Sequence, residues 1–419
     1  MAAVSLLLLI ILIFGVRACV RDAETVSSKE AQTIRERRIK QASRAPSTID
    51  YRRLDGRLQR LSAERSMVGL AVGVVENGQI RFLKGYGLTT DGGEPVTPET
   101  VFRWASVSKG VAGIMVAKLA DEGKLSLHDP IAKYGLSLRL PNGVENRATV
   151  ANILSHSLGI FGHANDSKLE DGQDARMLRM DLANLNLICP PGQCHSYQNV
   201  AYDAASELVE KVTGKPYPQA VRERLFGPLG MSSASLTRDG LYAAPSWAKP
   251  HRGGKGSKAV EVTDSYYRVP AAGGVNSSIK DLALWMQANM GLDPGVVPDS
   301  VLAMAQAQEV RTPGELGRMR NFRERVKDAH YGLGWRIYDY DGHRVIGHRG
   351  GVTGFRSLVL FDPAKKSGVV ALWNSSTNQP GGLEFEVMDM IYGLEPRDWM
   401  KLGEQGTPEP QEGVPFTGG

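Results

Sequence analysis

Strand-like patterning is confined to the two ends of this chain, with helix- and turn-rich sequence between them, and that split restricts the folds open to it. Val68 to Val75 and Ile80 to Gly87 are apolar runs separated by Glu76-Asn77-Gly78. An Asn-Gly pair between two such runs marks a tight hairpin, because both residues accept a left-handed backbone. Near the other end, Gly334 to Tyr338, Arg344 to His348, Phe355 to Phe361 and Gly368 to Leu372 repeat the pattern between turns such as Asp341-Gly342 and Asp362-Pro363. From Tyr51 to Ser66, Leu54, Leu58 and Leu61 recur at helical spacing, which predicts a first amphipathic helix. A second helix is expected from about Ser106 to Glu122, stopped by Gly123, and another over about Ala201 to Thr213. The expected class is therefore α+β: one antiparallel sheet built from both chain ends, flanked by helices, with a mostly helical lobe from the middle, about Leu125 to Met290.

The chain has 419 residues, 42% of them hydrophobic and 23% charged, enough to bury a substantial core. Its net charge of +5 is spread among interspersed acids and bases, without the basic run or aromatic-interleaved stripe that tracks a phosphate backbone, so nucleic acid is not an expected partner. Leu6 to Phe14 is an uncharged apolar core of signal-peptide length, short of a full membrane span. Arg17 and Arg21 follow it and no basic residue precedes it, which would hold the domain inside if the segment stayed as an anchor. Export to the cell envelope, periplasmic or membrane-anchored, is the favoured expectation, with Cys19 as a candidate lipid-bearing residue. The expected organisation is a signal peptide or membrane anchor over 1–18, a flexible tether over 19–48, a globular domain over 49–394 and a loose tail over 395–419. Membrane contact is expected only through the N-terminal segment, and the oligomeric state is not encoded in any pattern we find.

Cys189 and Cys194 bracket a Pro-Pro-Gly turn that can bring them together as a disulfide in an oxidising compartment; two unpaired thiols in a tight loop is the other reading. A zinc site is disfavoured, since no second cysteine pair exists and the eight histidines are scattered. No cofactor is expected.

Three segments carry candidate chemistry. In Phe102-Arg103-Trp104-Ala105-Ser106-Val107-Ser108-Lys109, a helix starting at Ser106 would point the Ser106 hydroxyl and the Lys109 amine to one face, beside the positive end of the helix dipole. In Cys194-His195-Ser196-Tyr197-Gln198-Asn199, a loop after a Pro-Gly turn can present both a phenol and an amide to a cleft. In Gly347-His348-Arg349-Gly350-Gly351, strand alternation turns His348 and Gly350 to one side and Arg349 to the other, and bare glycines would allow a substrate backbone close approach. Each piece alone has an ordinary structural explanation: a capping serine with a surface lysine, a core tyrosine, a structural histidine.

Taken in order, Ser-x-x-Lys, Tyr-x-Asn and His-x-Gly resemble the motif set of the class C β-lactamase and D-alanyl-D-alanine carboxypeptidase superfamily of serine hydrolases. Supporting segments such as Leu154-Ser155-His156-Ser157-Leu158-Gly159 and Tyr331-Gly332-Leu333-Gly334-Trp335 are similar too, and the likeness spans about residues 60 to 392. The resemblance implies a β-lactamase/transpeptidase-like fold and an acyl-enzyme at Ser106, with Lys109 and Tyr197 handling its proton in an order the sequence leaves open. It implies backbone N–H groups of Ser106 and Gly351 as the oxyanion hole, Asn199 bonding the substrate amide or steadying Lys109, and His348, Gly350 and Gly351 lining the substrate site. His156 is expected to be structural. His348 stands where efficient class C enzymes carry lysine, and a mostly neutral imidazole lowers the expectation of strong β-lactam hydrolysis. The expected substrate is a small molecule or peptide: a D-amino-acid peptide, a β-lactam or a small ester. Two alternatives are a carboxylesterase with little β-lactam activity and a catalytically silent protein that binds cell-wall peptides. An α/β-hydrolase is a poorer fit, since no Gly-x-Ser-x-Gly elbow occurs.

Overall fold

The computed structural model describes residues 29–403. The helix expected near Tyr51 is α1 (Tyr51–Ala63), capped by the Asp50 side chain, which accepts from the Arg53 amide; Leu54, Leu58 and Leu61 are wholly buried along one face. The hairpin follows as β1 (Gly69–Glu76) and β2 (Gln79–Gly87), with Asn77 at φ 52° and Gly78 at φ 78°, the left-handed pair the turn requires. A short β3 (Val101–Arg103) leads into the second helix, α2 (Ser108–Asp121), closed by Gly123 in a left-handed conformation. The middle of the chain is the expected lobe of short helices and loops, with α3 (Ala204–Thr213) its longest piece before β4 (Asn276–Ser278) and α4 (Ile279–Asn289).

The C-terminal strands are β5 (Val310–Arg311), β6 (Val326–Tyr331), β7 (Arg336–Tyr340), β8 (His343–Val352), β9 (Phe355–Asp362) and β10 (Ser367–Trp373), followed by α5 (Leu383–Tyr392). They join the first hairpin in one antiparallel eight-stranded sheet of order β2-β1-β10-β9-β8-β7-β6-β5, while β3 and β4 form a separate pair. The closure that makes one sheet of both chain ends is the β1–β10 ladder, from Leu70 opposite Trp373 to Val75 opposite Gly368. Both faces of this sheet are covered. Leu70, Val72, Val74, Leu358 and Val369 pack toward α1 and α5, while Ala71, Val75, Val359, Phe361 and Val370 pack toward the body that contains α2 and α4. Two covered faces explain why the central strands read as nearly unbroken apolar runs rather than alternating ones.

Two boundary expectations need correction. Much of the tether is ordered: residues 29–42 are helical, held by Arg35 to Asp293 at 3.1 Å and Arg38 to Asp299 at 2.8 Å, with Ile39 against the core. Its composition carries no sign of this, because the partners of Arg35, Arg38 and Ile39 belong to distant segments of the chain. Residues 395–403 of the expected loose tail are also fixed. Met400 is buried, and Asp398 shares the Arg57 guanidinium with Glu386, each at 2.5 Å. The leader, Cys19 and residues 404–419 lie outside the described residues, among which no helix is long and apolar enough to cross a membrane.

Arg57 reaches from α1 to α5 through that cluster and is 4% exposed. Arg57→Met is expected to destabilise the protein by about 3–5 kcal/mol, because Glu386 would be left buried and unpaired. Urea unfolding monitored by tryptophan fluorescence measures it; a loss under about 1 kcal/mol would show the cluster to be well hydrated.

Candidate active site

Strand β3 delivers the chain to Trp104, and the turn that follows is strained. Ala105 is fully buried with φ 48°, a left-handed conformation rare for a residue with a side chain. Ser106 sits in the one-turn helix Ala105–Val107, so α2 begins two residues later than the sequence predicts. The one-turn offset to Lys109 survives: its Nζ lies 3.4 Å from Ser106 Oγ.

The lysine is enclosed. Its side chain is wholly buried, and Nζ donates to Asn199 Oδ1 at 2.7 Å and to the Ala272 carbonyl at 2.9 Å. It lies 4.7 Å from the centre of the Tyr197 ring. Burial lowers its pKa to about 7, helped by the Arg336 charge and opposed by Asp166. Near neutral pH a sizeable fraction is thus free amine, the form that accepts a proton. Tyr197 is within hydrogen-bonding reach of Ser106; burial raises the phenol above its ordinary range, against the lowering effects of Arg336 and that contact. It is a protonated phenol at neutral pH.

The loop carrying Tyr197 has no regular structure and is fastened at several points. Cys189 and Cys194 form a disulfide, Gly192 N donates to the Ser157 carbonyl at 2.7 Å, and Ser196 N donates to the His156 carbonyl at 2.8 Å. The His156 ring packs 4.3 Å from that of Tyr197, and its Nδ1 accepts from the Gln198 amide at 3.1 Å. With its pKa driven well below the ordinary value by burial, His156 is a neutral buttress, matching its expected structural role.

Asn199 is fully engaged: while its oxygen holds Lys109, its Nδ2 donates to Asp166 Oδ2 at 2.7 Å. That carboxylate also bonds His163 Nδ1 at 2.8 Å. Asn199 thereby links Lys109 to the Asp166 carboxylate.

The third segment lies on β8. His348 points inward and Arg349 outward, where Arg349 meets Glu384 at 2.6 Å, as alternation requires. His348 Nε2 pairs with the Tyr331 hydroxyl at 2.8 Å and its Nδ1 with the Arg349 carbonyl at 2.7 Å. Burial, with Arg336 and Lys109 adding to it, puts its pKa well below the ordinary value, so it brings no positive charge to the cleft. A Cβ on Gly350 would fall 2.2 Å from the Trp104 carbonyl and 3.0 Å from the Ser106 amide nitrogen. Its bareness therefore serves the nucleophile turn of its own chain. Gly351 comes next; the nearest atoms to a Cβ there would be those of the Arg356 side chain, at 3.2 Å. β7 pairs with β8 only as far as Arg336 opposite Gly347, so among the described residues no strand covers that side of 348–352.

The structure thus brings together Ser106, Lys109, Tyr197, Asn199, His348 and Gly350, with Gly351 adjoining, on elements from three parts of the chain. Residues 54–388 match the family model described as Beta-lactamase. The chain belongs to the β-lactamase family. Within that superfamily of serine hydrolases it is 28% identical over 329 residues to penicillin-binding protein 4 of Amycolatopsis lactamdurans, covering 77% of this chain and 84% of that one. It is 26% identical to the unguisins hydrolase ungD′ of Aspergillus campestris, covering 83% and 67% respectively. Its fold matches the octameric penicillin-binding protein homologue from Pyrococcus abyssi with a TM-score of 0.74 at 25% identity, over 84% of this chain and 79% of that one. The β-lactamase/D-alanine carboxypeptidase of Pseudomonas syringae shares the fold at a TM-score of 0.66 and 20% identity, over 81% and 97%.

Two groups of this β-lactamase-family site escape a reading of motifs. Asp166 opens a short helix, Asp166–Glu170, with no distinguishing pattern. Arg336 places its guanidinium carbon 5.6 Å from the Tyr197 ring centre and pairs with Glu315 at 2.5 Å. Its only sequence signal is that it follows the Tyr331-to-Trp335 segment, which reads as scaffold.

Proposed function

We propose that this protein is an exported amide or ester hydrolase that works through an acyl-enzyme at Ser106, with low activity toward β-lactams. The observation that carries the reading is the 3.4 Å contact between Ser106 Oγ and a lysine amine whose pKa burial has lowered to about 7. Neutral Lys109 takes the Ser106 proton as Oγ attacks the carbonyl carbon, and the Ser106 and Gly351 amides receive the developing oxyanion. As the tetrahedral intermediate collapses, the leaving group takes a proton from the Tyr197 phenol, which Lys109 replenishes. Water then attacks the acyl carbon by the reverse route, returning its proton through the same groups and freeing Ser106.

Charge in the cleft narrows the substrate class. The neutral, doubly hydrogen-bonded His348 gives no ammonium for the carboxylate of a β-lactam, and Arg336 is partly neutralised by Glu315. The uncovered edge at 348–352 suits an extended peptide-like acyl chain, which favours D-amino-acid peptides and small esters. The disulfide fits an oxidising compartment.

Labelling tests the reading. A fluorophosphonate is expected to modify Ser106 in the full chain and to fail in Ser106→Ala, with weak labelling by fluorescent penicillin. Equal labelling of both proteins would refute Ser106 as nucleophile, and labelling by neither probe would leave a binding protein.

A further inference from the structure

A pocket of about 140 Å3 lies beside the cleft, lined by Arg103, Arg252, Ser265, Tyr266, Val352 and Thr353, and takes no part in the chemistry above. Its position ties it to the reaction centre. Arg103, the last residue of β3, is three residues before Ser106, and Val352 ends β8 just past Gly351, with Thr353 in the turn that follows. The Tyr266 phenol, raised mainly by burial, also feels the charge of Asp166, the carboxylate bonded to Asn199.

Arg103 is what marks this pocket. It is 3% exposed, and among the described residues its Nε and Nη2 have no hydrogen-bond partner. The guanidinium carbon lies 4.1 Å from the Tyr267 ring centre, a cation–π contact that orients the group without neutralising it. Arg57, Arg179 and Arg325, also buried, face carboxylates at 2.5, 2.9 and 2.9 Å. Among the described residues Arg103 faces none: the carboxylate it senses, Asp264, pairs instead with Arg238 at 3.1 Å. A buried guanidinium without an anion is destabilising, and an arriving carboxylate would relieve it with charge-assisted hydrogen bonds. Glu170 and Glu261 also line the pocket, but both are exposed, and Glu170 accepts from the Tyr266 hydroxyl at 2.9 Å. Their charges are screened by solvent, whereas that of Arg103 is not.

We propose that this pocket binds a carboxylate carried on the arm of the substrate remote from the scissile carbonyl, with Arg103 at its floor and Arg252 at its mouth. The identity of that ligand as substrate rests on the acyl-transfer reading of Ser106; the affinity of the pocket for anions does not.

The test compares kcat/KM for mono-p-nitrophenyl glutarate and p-nitrophenyl valerate, acyl arms of equal length with and without a terminal carboxylate. The wild-type protein is expected to favour the anionic ester by about tenfold to a hundredfold, the scale of a charge-assisted hydrogen bond. Arg103→Met is expected to bring the ratio near one. So is Thr353→Glu, which sets a repelling carboxylate at an exposed position and decides the matter if Arg103→Met fails to fold. Calorimetric titration with free glutarate should show binding to the wild type that both variants lose. Turnover of the valerate ester with no anionic preference, or a preference that survives Thr353→Glu, would overturn the pocket while leaving the acyl-enzyme intact. If neither ester acylates Ser106, the acyl-enzyme reading fails and the glutarate titration alone judges the pocket.

Discussion

Replacing Lys109 with methionine is expected to lower kcat/KM for an activated ester by about 10³- to 10⁴-fold, the effect of removing a positioned general base from a serine nucleophile. The chain around it should stay folded, because methionine fills similar space and introduces no buried charge. The wild-type pH profile carries the sharper test. Lys109 accepts a proton only as free amine, and burial lowers its pKa to about 7. Thus kcat/KM should rise tenfold per pH unit below about 7 and level off above it, and Lys109→Met should lose that limb. If ionised Tyr197 were the base instead, the limb would fall far into the alkaline range, because burial raises that phenol above its ordinary value. A profile without an inflection between about pH 6 and 8 would reject Lys109 as the base.

Gly350→Ala is expected to reduce the rate of Ser106 acylation by about 100-fold or more, while lowering stability by about 1–3 kcal/mol. The added methyl would sit 2.2 Å from the Trp104 carbonyl and 2.3 Å from Ser357 Oγ, and the first of these is backbone that no rotamer change can clear. The turn that holds Ser106 has little room to yield, since Ala105 is already in a left-handed conformation and Ser357 Oγ donates to the Trp104 carbonyl at 2.5 Å. The distance from β8 to the nucleophile amide should widen, and the oxyanion donors with it. Fluorophosphonate labelling rates, read beside thermal unfolding, separate the two effects: an unchanged labelling rate in a destabilised variant would show that Gly350 serves packing alone.

Legibility in the sequence followed the strength of local signals. The Asn77-Gly78 turn, the Leu54-Leu58-Leu61 spacing and the apolar runs of β9 and β10 were read nearly to their ends, because each element is specified by its own residues. β6 was missed: Lys327, Asp328 and His330 dilute its apolar pattern near the sheet edge, where one side of a strand is freer to be polar. β3 and β4, three residues each, are too short to show a period and exist because they pair with each other. The ordered helix over 29–42 was missed because its anchors, Asp293 and Asp299, lie more than 250 residues away.

The sequence by itself determined the reactive groups, their order along the chain and the local elements that bear them, since hydroxyl, amine and phenol are fixed by residue type and helix or strand by short-range periodicity. Tertiary structure alone decided what state those groups are in. Lys109 has a pKa near 7 and His348 stays uncharged because residues from distant segments strip water from them, and desolvation is a property of the assembled surroundings. The same is true of Arg103, an ordinary basic residue in the sequence, which only the folded chain leaves buried and, among the described residues, without a counterion.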